Sequence, residues 1–159
     1  LSAKGQGVSV DGMNANDVWV KLARCCTPVP GDDIVGFITR GQGVSVHPHS
    51  CPNAVRLEGL HPERFVQVSW SSEHYQAQYL VQIQTKALDR PGLLADLTKV
   101  MTEYRVNIVS ASTVSTRDQV ATARFSFHLA EMSHLNAVLA ALRRVDGVFE
   151  AVRVSTSAS

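Results

Sequence analysis

Nothing in this 159-residue chain approaches the roughly eighteen consecutive apolar residues of a membrane span. No signal-peptide pattern is read at its start either, where Leu1 opens a polar Ser-Ala-Lys-Gly-Gln-Gly lead. Charge of one sign is also lacking. Fifteen Lys and Arg against fourteen Asp and Glu leave +1, split evenly between residues 1–72 (six basic, six acidic) and 73–159 (nine and eight). No global basic field points to nucleic acid, and no basic run exceeds Arg143-Arg144. Cysteine is scarce as well. Three cysteines cannot all pair within one chain, and the adjacent Cys25 and Cys26 cannot bridge without strain, so a disulfide scaffold is disfavoured and a reducing, cytoplasmic location is expected. Neither a His-Asp metal cluster nor a nucleotide-phosphate loop is recognisable, so no nucleotide turnover is expected of this chain itself. The absent initiator Met and the Ser-Thr-Ser-Ala-Ser tail fit a fragment of a longer protein.

What the chain does contain is 45% hydrophobic and 18% charged residues, a globular balance long enough for one ordinary domain or two small ones. The stretch Arg24–Cys51 holds every cysteine and two of the six histidines. Cys25 and Cys26 are adjacent, Pro28 and Pro30 frame a turn that Gly31 can close, and His47 and Cys51 follow at a His-x3-Cys spacing. These four residues supply the number and kind of donors of a closed, structural zinc site. Adjacent cysteines diverge unless the backbone between them bends sharply, so small buried apolar thiols stand as an equal reading.

Strand patterns run over 7–10, 17–22, 34–39, 44–47 and 65–70, with a turn-rich insert at 11–16, a glycine hairpin at 40–43 and a helix from Pro52 to about Leu57, capped by Ser50 or Cys51. Trp19 and Trp70 fall in strand patterns and are expected in the core. The polar Ser71-Ser72-Glu73 marks a boundary between domains 1–72 and 73–159.

The second half reads as strand 79–87, helix 91–104, strands 107–116 and 120–130, helix 133–145 and strand 148–154. Leu93, Leu97, Val100, Met101 and Tyr104 form one helical stripe, and Leu135, Val138, Leu139 and Leu142 the other. This βαββαβ order predicts a ferredoxin-like domain with both helices on one face of the sheet. His128 and His134 are expected at the solvated surface. The first strand-to-helix junction, Asp89-Arg90-Pro91-Gly92-Leu93-Leu94, offers exposed amides to a small anion, with Asp89 as the expected N-cap bonding the Gly92 N–H. The same segment is equally a good helix start.

The run from Val20 to Asn53, with Arg-Cys-Cys-Thr-Pro-Val-Pro-Gly at its start and His-Pro-His-Ser-Cys at its end, closely resembles the zinc-finger-like (ribosome-intersubunit) domain of the long RelA/SpoT family. These are the (p)ppGpp synthetase/hydrolases of the bacterial stringent response. Where that family often carries an acidic residue before the last cysteine, this chain has Ser50. The second half resembles an ACT domain, whose amino-acid sites match the Asp89, Gly92, Leu93, Leu94 loop and Asn107-Ile108. The resemblance implies an α+β pair of domains, a β-rich zinc-finger-like unit followed by an ACT domain that homodimerises and takes up an amino acid. Apolar Leu93, Leu94 and Ile108 around Asp89 and Asn107 favour a branched-chain ligand. It also implies docking on ribosomal RNA and uncharged tRNA, with Arg24, Arg40 and His47 as RNA contacts, and control of catalytic domains N-terminal to this region.

Two other classes stay open at this point. Cys25 or Cys26 with His47 or His49 as base and Asp32 or Asp33 as orienter are the residue types of a Cys-His hydrolase, although the spacing does not favour one. The second half alone also fits an amino-acid-binding allosteric domain of another metabolic enzyme, which would leave the first half unexplained.

Overall fold

The computed structural model describes residues 3–4, 7–12, 18–41, 43–71 and 78–154. They divide into two compact units, the second being Gln78–Val154. Most of the expected 11–16 insert and the boundary after Ser71 lie outside the described residues.

In the first unit, β1 (Ala3–Lys4), β3 (Trp19–Leu22), β4 (Ile34–Ile38), β5 (Gly43–Pro48) and β6 (Phe65–Val66) build a sheet in the order β1-β3-β5-β4-β6. The β3–β5 pair is parallel and the rest are antiparallel. A separate ribbon pairs β2 (Val8–Val10) with β7 (Val68–Trp70). Side chains alternate across a strand, so Val20 of β3, Ile34 of β4 and Val44 and Val46 of β5 fill one face, where Val8, Val10 and Val68 of the ribbon cover them. The opposite face carries Val35 and Phe37 of β4. It packs with Ala23, Cys26, Cys51, Phe65 and with Ala54 and Leu57 of α1 (Pro52–Leu60). Strand β4 is therefore covered on both sides, which accounts for its unbroken apolar Ile-Val-Gly-Phe run. Close packing favours Gly36 there, because a Cβ would lie 2.8 Å from Cγ1 of both Val44 and Val68 and 3.0 Å from Cγ1 of Val66.

Several expectations need correction in this unit. The 65–70 pattern is two strands: after Val66 the chain leaves the large sheet, the Gln67 carbonyl accepts the Asp11 N–H, and β7 joins the ribbon. Trp19 is 45% exposed, since Val20 takes the buried position of β3 and alternation turns its neighbour outward. Trp70 is half-buried against the ribbon-covered core and donates Nε1–H to the Asp32 carbonyl at 3.0 Å. The polar lead supplies β1, and α1 runs three residues beyond Leu57, to Leu60 just ahead of Pro62.

The second unit has the expected βαββαβ order: β8 (Tyr79–Leu88), α2 (Leu93–Glu103), β9 (Ile108–Ser115), β10 (Val120–Leu129), α3 (Met132–Arg143) and β11 (Val148–Arg153). Its antiparallel sheet runs β11-β8-β10-β9, the ferredoxin-like arrangement. Tyr79, Val81, Ile83 and Ala87 of β8 and Ala121, Ala123, Phe125, Phe127 and Leu129 of β10 are buried. Leu93, Leu97 and Met101 of α2 and the whole expected α3 stripe are buried with them. His134 is half-buried rather than solvated, its Nε2 lying 2.7 Å from the Tyr104 carbonyl at the end of α2. No helix among the described residues is long and apolar enough to cross a membrane.

Candidate metal centre

Three chain segments bring the four expected donors together. The Ala23 N–H donates to the Val46 carbonyl and ties the first segment to β5. From there residues 24–26 make one tight turn, closed by the Thr27 N–H donating to the Ala23 carbonyl at 2.9 Å with Thr27 at φ +43°. A β-branched residue in that left-handed region is strained. Its position at the end of the turn accompanies the sharp bend that adjacent cysteines require: Cys25 and Cys26 sulfurs lie 3.6 Å apart instead of diverging. His47 sits on β5, where Val44 and Val46 face the ribbon and alternation sends Ser45 and His47 to the opposite side. Cys51 precedes Pro52, the first residue of α1, and its N–H bonds the Pro48 carbonyl.

The Cys25 sulfur lies 3.8 Å from that of Cys51 and 3.5 Å from His47 Nδ1, which is itself 3.4 Å from the Cys26 sulfur. All four donor atoms fall within 4.8 Å of one another. With metal–sulfur bonds of about 2.3 Å and metal–nitrogen bonds of about 2.0–2.1 Å, a tetrahedron around zinc has edges of about 3.6–3.8 Å. The separations of 3.4–3.8 Å among Cys25, Cys26 and His47 and between Cys25 and Cys51 lie close to those edges, so the donor set fits the ion in number and type, with these four spacings near the tetrahedral values. The other His47 nitrogen, Nε2, lies 3.1 Å from Ser45 Oγ, an outer partner that fixes the ring with Nδ1 turned to the thiols. Phe37 meets the imidazole edge-on at 6.1 Å.

The electrostatics call for a cation. Burial holds His47 below its usual pKa, leaving a neutral imidazole suited to ligation. Burial, then contact with Cys25 and Cys51, pushes the Cys26 thiol well up. Burial also raises Cys51, but the Ala54 amide, the Cys26 thiol, the Asn53 amide and the Cys25 thiol outweigh it and lower its pKa. Crowded thiols of this kind can ionise together only around a positive charge.

The remaining expected residues are placed elsewhere. Arg24 and Arg40 are exposed, whereas His47 is 6% exposed with both ring nitrogens turned to the thiols and Ser45. Of the two expected orienters, Asp32 accepts the Val29 N–H and Asp33 is exposed, while Ser45 stands beside the imidazole. His49 is exposed.

In the second unit, Asp89, Gly92, Leu94 and Asn107 are exposed, Ile108 is half-buried and Leu93 points into the core. Asp89 is not the N-cap of α2. A turn in which the Leu93 N–H donates to the Arg90 carbonyl separates it from the helix, Gly92 occupies the cap at φ +79°, and the Asp89 N–H pairs with the Gln119 carbonyl. Arg90, to which the sequence had assigned no role, braces this loop. Its Nε and Nη2 donate to the Asp146 carbonyl at 3.2 and 3.1 Å, and Nη2 reaches the Asp96 carboxylate at 2.7 Å. An arginine between an aspartate and a proline at a strand end was the available signal.

The chain thus pairs a small β-rich unit, with a Cys/His cluster of metal-ligating type on its five-stranded sheet, with a ferredoxin-like unit. Residues 8–71 match the RelA/SpoT RIS domain and residues 75–153 the ACT domain. The chain belongs to the RelA/SpoT family. It is 50% identical over 95% of its length to a Streptomyces coelicolor GTP pyrophosphokinase, and 47% identical over 96% to the Mycobacterium tuberculosis bifunctional (p)ppGpp synthase/hydrolase RelA. It is also 40% identical over 86% to the Escherichia coli K12 GTP pyrophosphokinase. It spans 17%, 20% and 18% of those three relatives. Among solved structures, the ACT domain of a Chlorobium tepidum GTP pyrophosphokinase, determined in solution, covers 50% of this chain and 90% of its own at 24% identity and a TM-score of 0.46.

Proposed function

We propose that this chain is a regulatory, non-catalytic portion of a cytoplasmic (p)ppGpp synthetase/hydrolase, and that it relays amino-acid starvation to catalytic domains N-terminal to it. The observation that carries this reading is the succession of RIS and ACT domains in a chain that aligns with under a quarter of relatives named for GTP pyrophosphokinase activity. In the first unit, Cys25, Cys26, His47 and Cys51 hold a structural zinc, since four protein donors leave no open position for water or substrate. The ion fixes the Arg24 turn against β5 and the start of α1. It thereby presents Arg24 and, at the β4–β5 hairpin, Arg40 to ribosomal RNA and to uncharged tRNA. With a net charge of +1, recognition relies on this shaped surface and a few local phosphate contacts rather than on a basic field. The ACT unit homodimerises, and its loop of Asp89, Gly92, Leu93 and Leu94 with Asn107 and Ile108 receives a branched-chain amino acid.

The test joins this chain to the catalytic half of its family and measures (p)ppGpp synthesis with and without ribosomes and deacylated tRNA. Stimulation is expected in the parent and a severalfold weaker response in Cys25→Ala, Cys51→Ala and Arg40→Glu. Equal stimulation of all three variants would remove this stretch from the signal path.

A further inference from the structure

The three sulfurs at the metal centre differ in one respect that the metal alone does not explain. Cys26 and Cys51 are each 1% exposed, whereas Cys25 is half-buried, so Cys25 is the one of the three cysteines open to a small solute. Its two sulfur neighbours are not equivalent as partners. The Cα atoms of adjacent residues are about 3.8 Å apart across a trans peptide, short of the roughly 4.4–6.8 Å span of ordinary disulfides, which disfavours a Cys25–Cys26 bond. Cys51 comes from a different segment, 26 residues away, and its sulfur lies only 3.8 Å from that of Cys25. The Cys26 sulfur is slightly nearer, at 3.6 Å, but rotation of the Cys25 sulfur toward Cys51 is the less strained path to a bond of about 2.05 Å.

We propose that Cys25 and Cys51 form an oxidisable pair, so that a peroxide reaching Cys25 joins these two sulfurs and expels the ion the site holds. The inference rests on the structural-metal reading above. In the first step the Cys25 sulfur attacks one peroxide oxygen, the O–O bond breaks, and Cys25 becomes a sulfenic acid with release of one water. In the second step the Cys51 sulfur attacks the Cys25 sulfur and the S–O bond breaks. The hydroxide leaves and takes a proton from solvent as a second water, because Cys51 enters as a thiolate; the Cys25 thiolate likewise draws one solvent proton in the first step. Two electrons pass from the thiols to the peroxide, and the two ligands that have become a disulfide no longer bind zinc as thiolates. Cys26 and His47 alone make an incomplete site, so the module reads oxidant as loss of metal and as loosening of the turn that carries Arg24.

The experiment uses this 159-residue chain loaded with zinc and titrated with hydrogen peroxide, with zinc release followed by a chromophoric chelator. Trypsin cuts after Arg24, Arg40 and Arg56, so peptide 25–40 carries Cys25 and Cys26 and peptide 41–56 carries Cys51. Release of all bound zinc is expected in step with a linked 25–40/41–56 peptide in which fragmentation places the bond on Cys25. A thiol reductant should restore the site. In metal-free protein, Cys25→Ser should slow formation of the linked peptide by about tenfold or more, because the remaining sulfurs are shielded. A bond placed on Cys26, zinc retained under excess peroxide, or zinc released with Cys25 as an isolated sulfinic acid would overturn the proposal. If the chain never holds zinc, the metal reading fails on its own, while peptide mapping still decides the pairing.

Discussion

Gly36→Ala tests whether the first unit is built on close contact between its sheet and its ribbon. The added methyl would sit 2.8 Å from Cγ1 of Val44, 2.8 Å from Cγ1 of Val68 and 3.0 Å from Cγ1 of Val66. Carbon atoms prefer about 3.5–4.0 Å, so three neighbours must each give way by most of an ångström. All three are valines, whose χ1 is stiff, and Val44 and Val68 belong to the tightly packed valine cluster. Replacing Gly by Ala in a strand would otherwise gain several tenths of a kcal/mol. Overpacking of this kind costs about 1–3 kcal/mol and should dominate. For a unit of this size that corresponds to a fall in midpoint of about 5–15 °C. Thermal denaturation followed by Trp70 fluorescence reads it, because this indole packs on the same cluster. The substitution lies on the sheet face opposite His47, so zinc stoichiometry at low temperature should stay unchanged. A midpoint equal to or above that of the parent would show that sheet and ribbon are not in contact as described.

Other perturbations have equally definite outcomes. Zinc affinity should fall as pH falls, by between two and three decades per pH unit, because the metal takes its sulfurs as thiolates and Cys51 already leans that way; chelator competition at two pH values near neutrality measures it, and a slope below one would remove the thiols as ligands. His47 is held below its ordinary pKa, so the unfolded chain binds the extra proton. Metal-free stability should therefore drop as pH falls through about 6.5, visible as a lower denaturant midpoint at pH 5.5 than at pH 7.5. Phe125→Ala empties the centre of the second unit, where the ring is 1% exposed, and should cost about 3–5 kcal/mol in denaturant titration. Arg90→Ala removes the brace from the loop before α2 to the Asp146 carbonyl. Faster hydrogen exchange at Gly92 and Leu93, with a global loss of about 1–2 kcal/mol, is the expected signature.

The second unit was legible because each element spells its partner in its own period. The alternation in β10 and the Leu135, Val138, Leu139, Leu142 stripe each define one buried face whatever the rest of the chain does. In the first unit, local pattern and tertiary partner part company. The alternation of Phe65, Val66, Gln67, Val68 continues unbroken while the strand it pairs with changes, so nothing local marks the break. Trp19 and Val20 are both good strand residues, and only the position of the ribbon decides which is buried. The four donors were visible as residue types, but their convergence depends on the turn that ends in the left-handed backbone of Thr27, a conformation threonine does not advertise. At the α2 start, one additional turn between Asp89 and Leu93 displaced the expected cap, a shift that a Pro-Gly pair permits without requiring.

The crossing of residues 65–70 from sheet to ribbon gives this short stretch a place on both sides of β4. Phe65 belongs to the cluster around the metal donors, whereas Val66, Val68 and Trp70 belong to the valine cluster on the far face. Two hydrophobic cores separated by a sheet often open as separate subglobal events, each with its own free energy. Here a single covalent thread is part of both, so peeling it away exposes the metal side and the valine side together. Amides of β2 and those near Cys51 should then exchange with solvent at a common opening energy, and a metal bound on one face would slow exchange on the other without touching it.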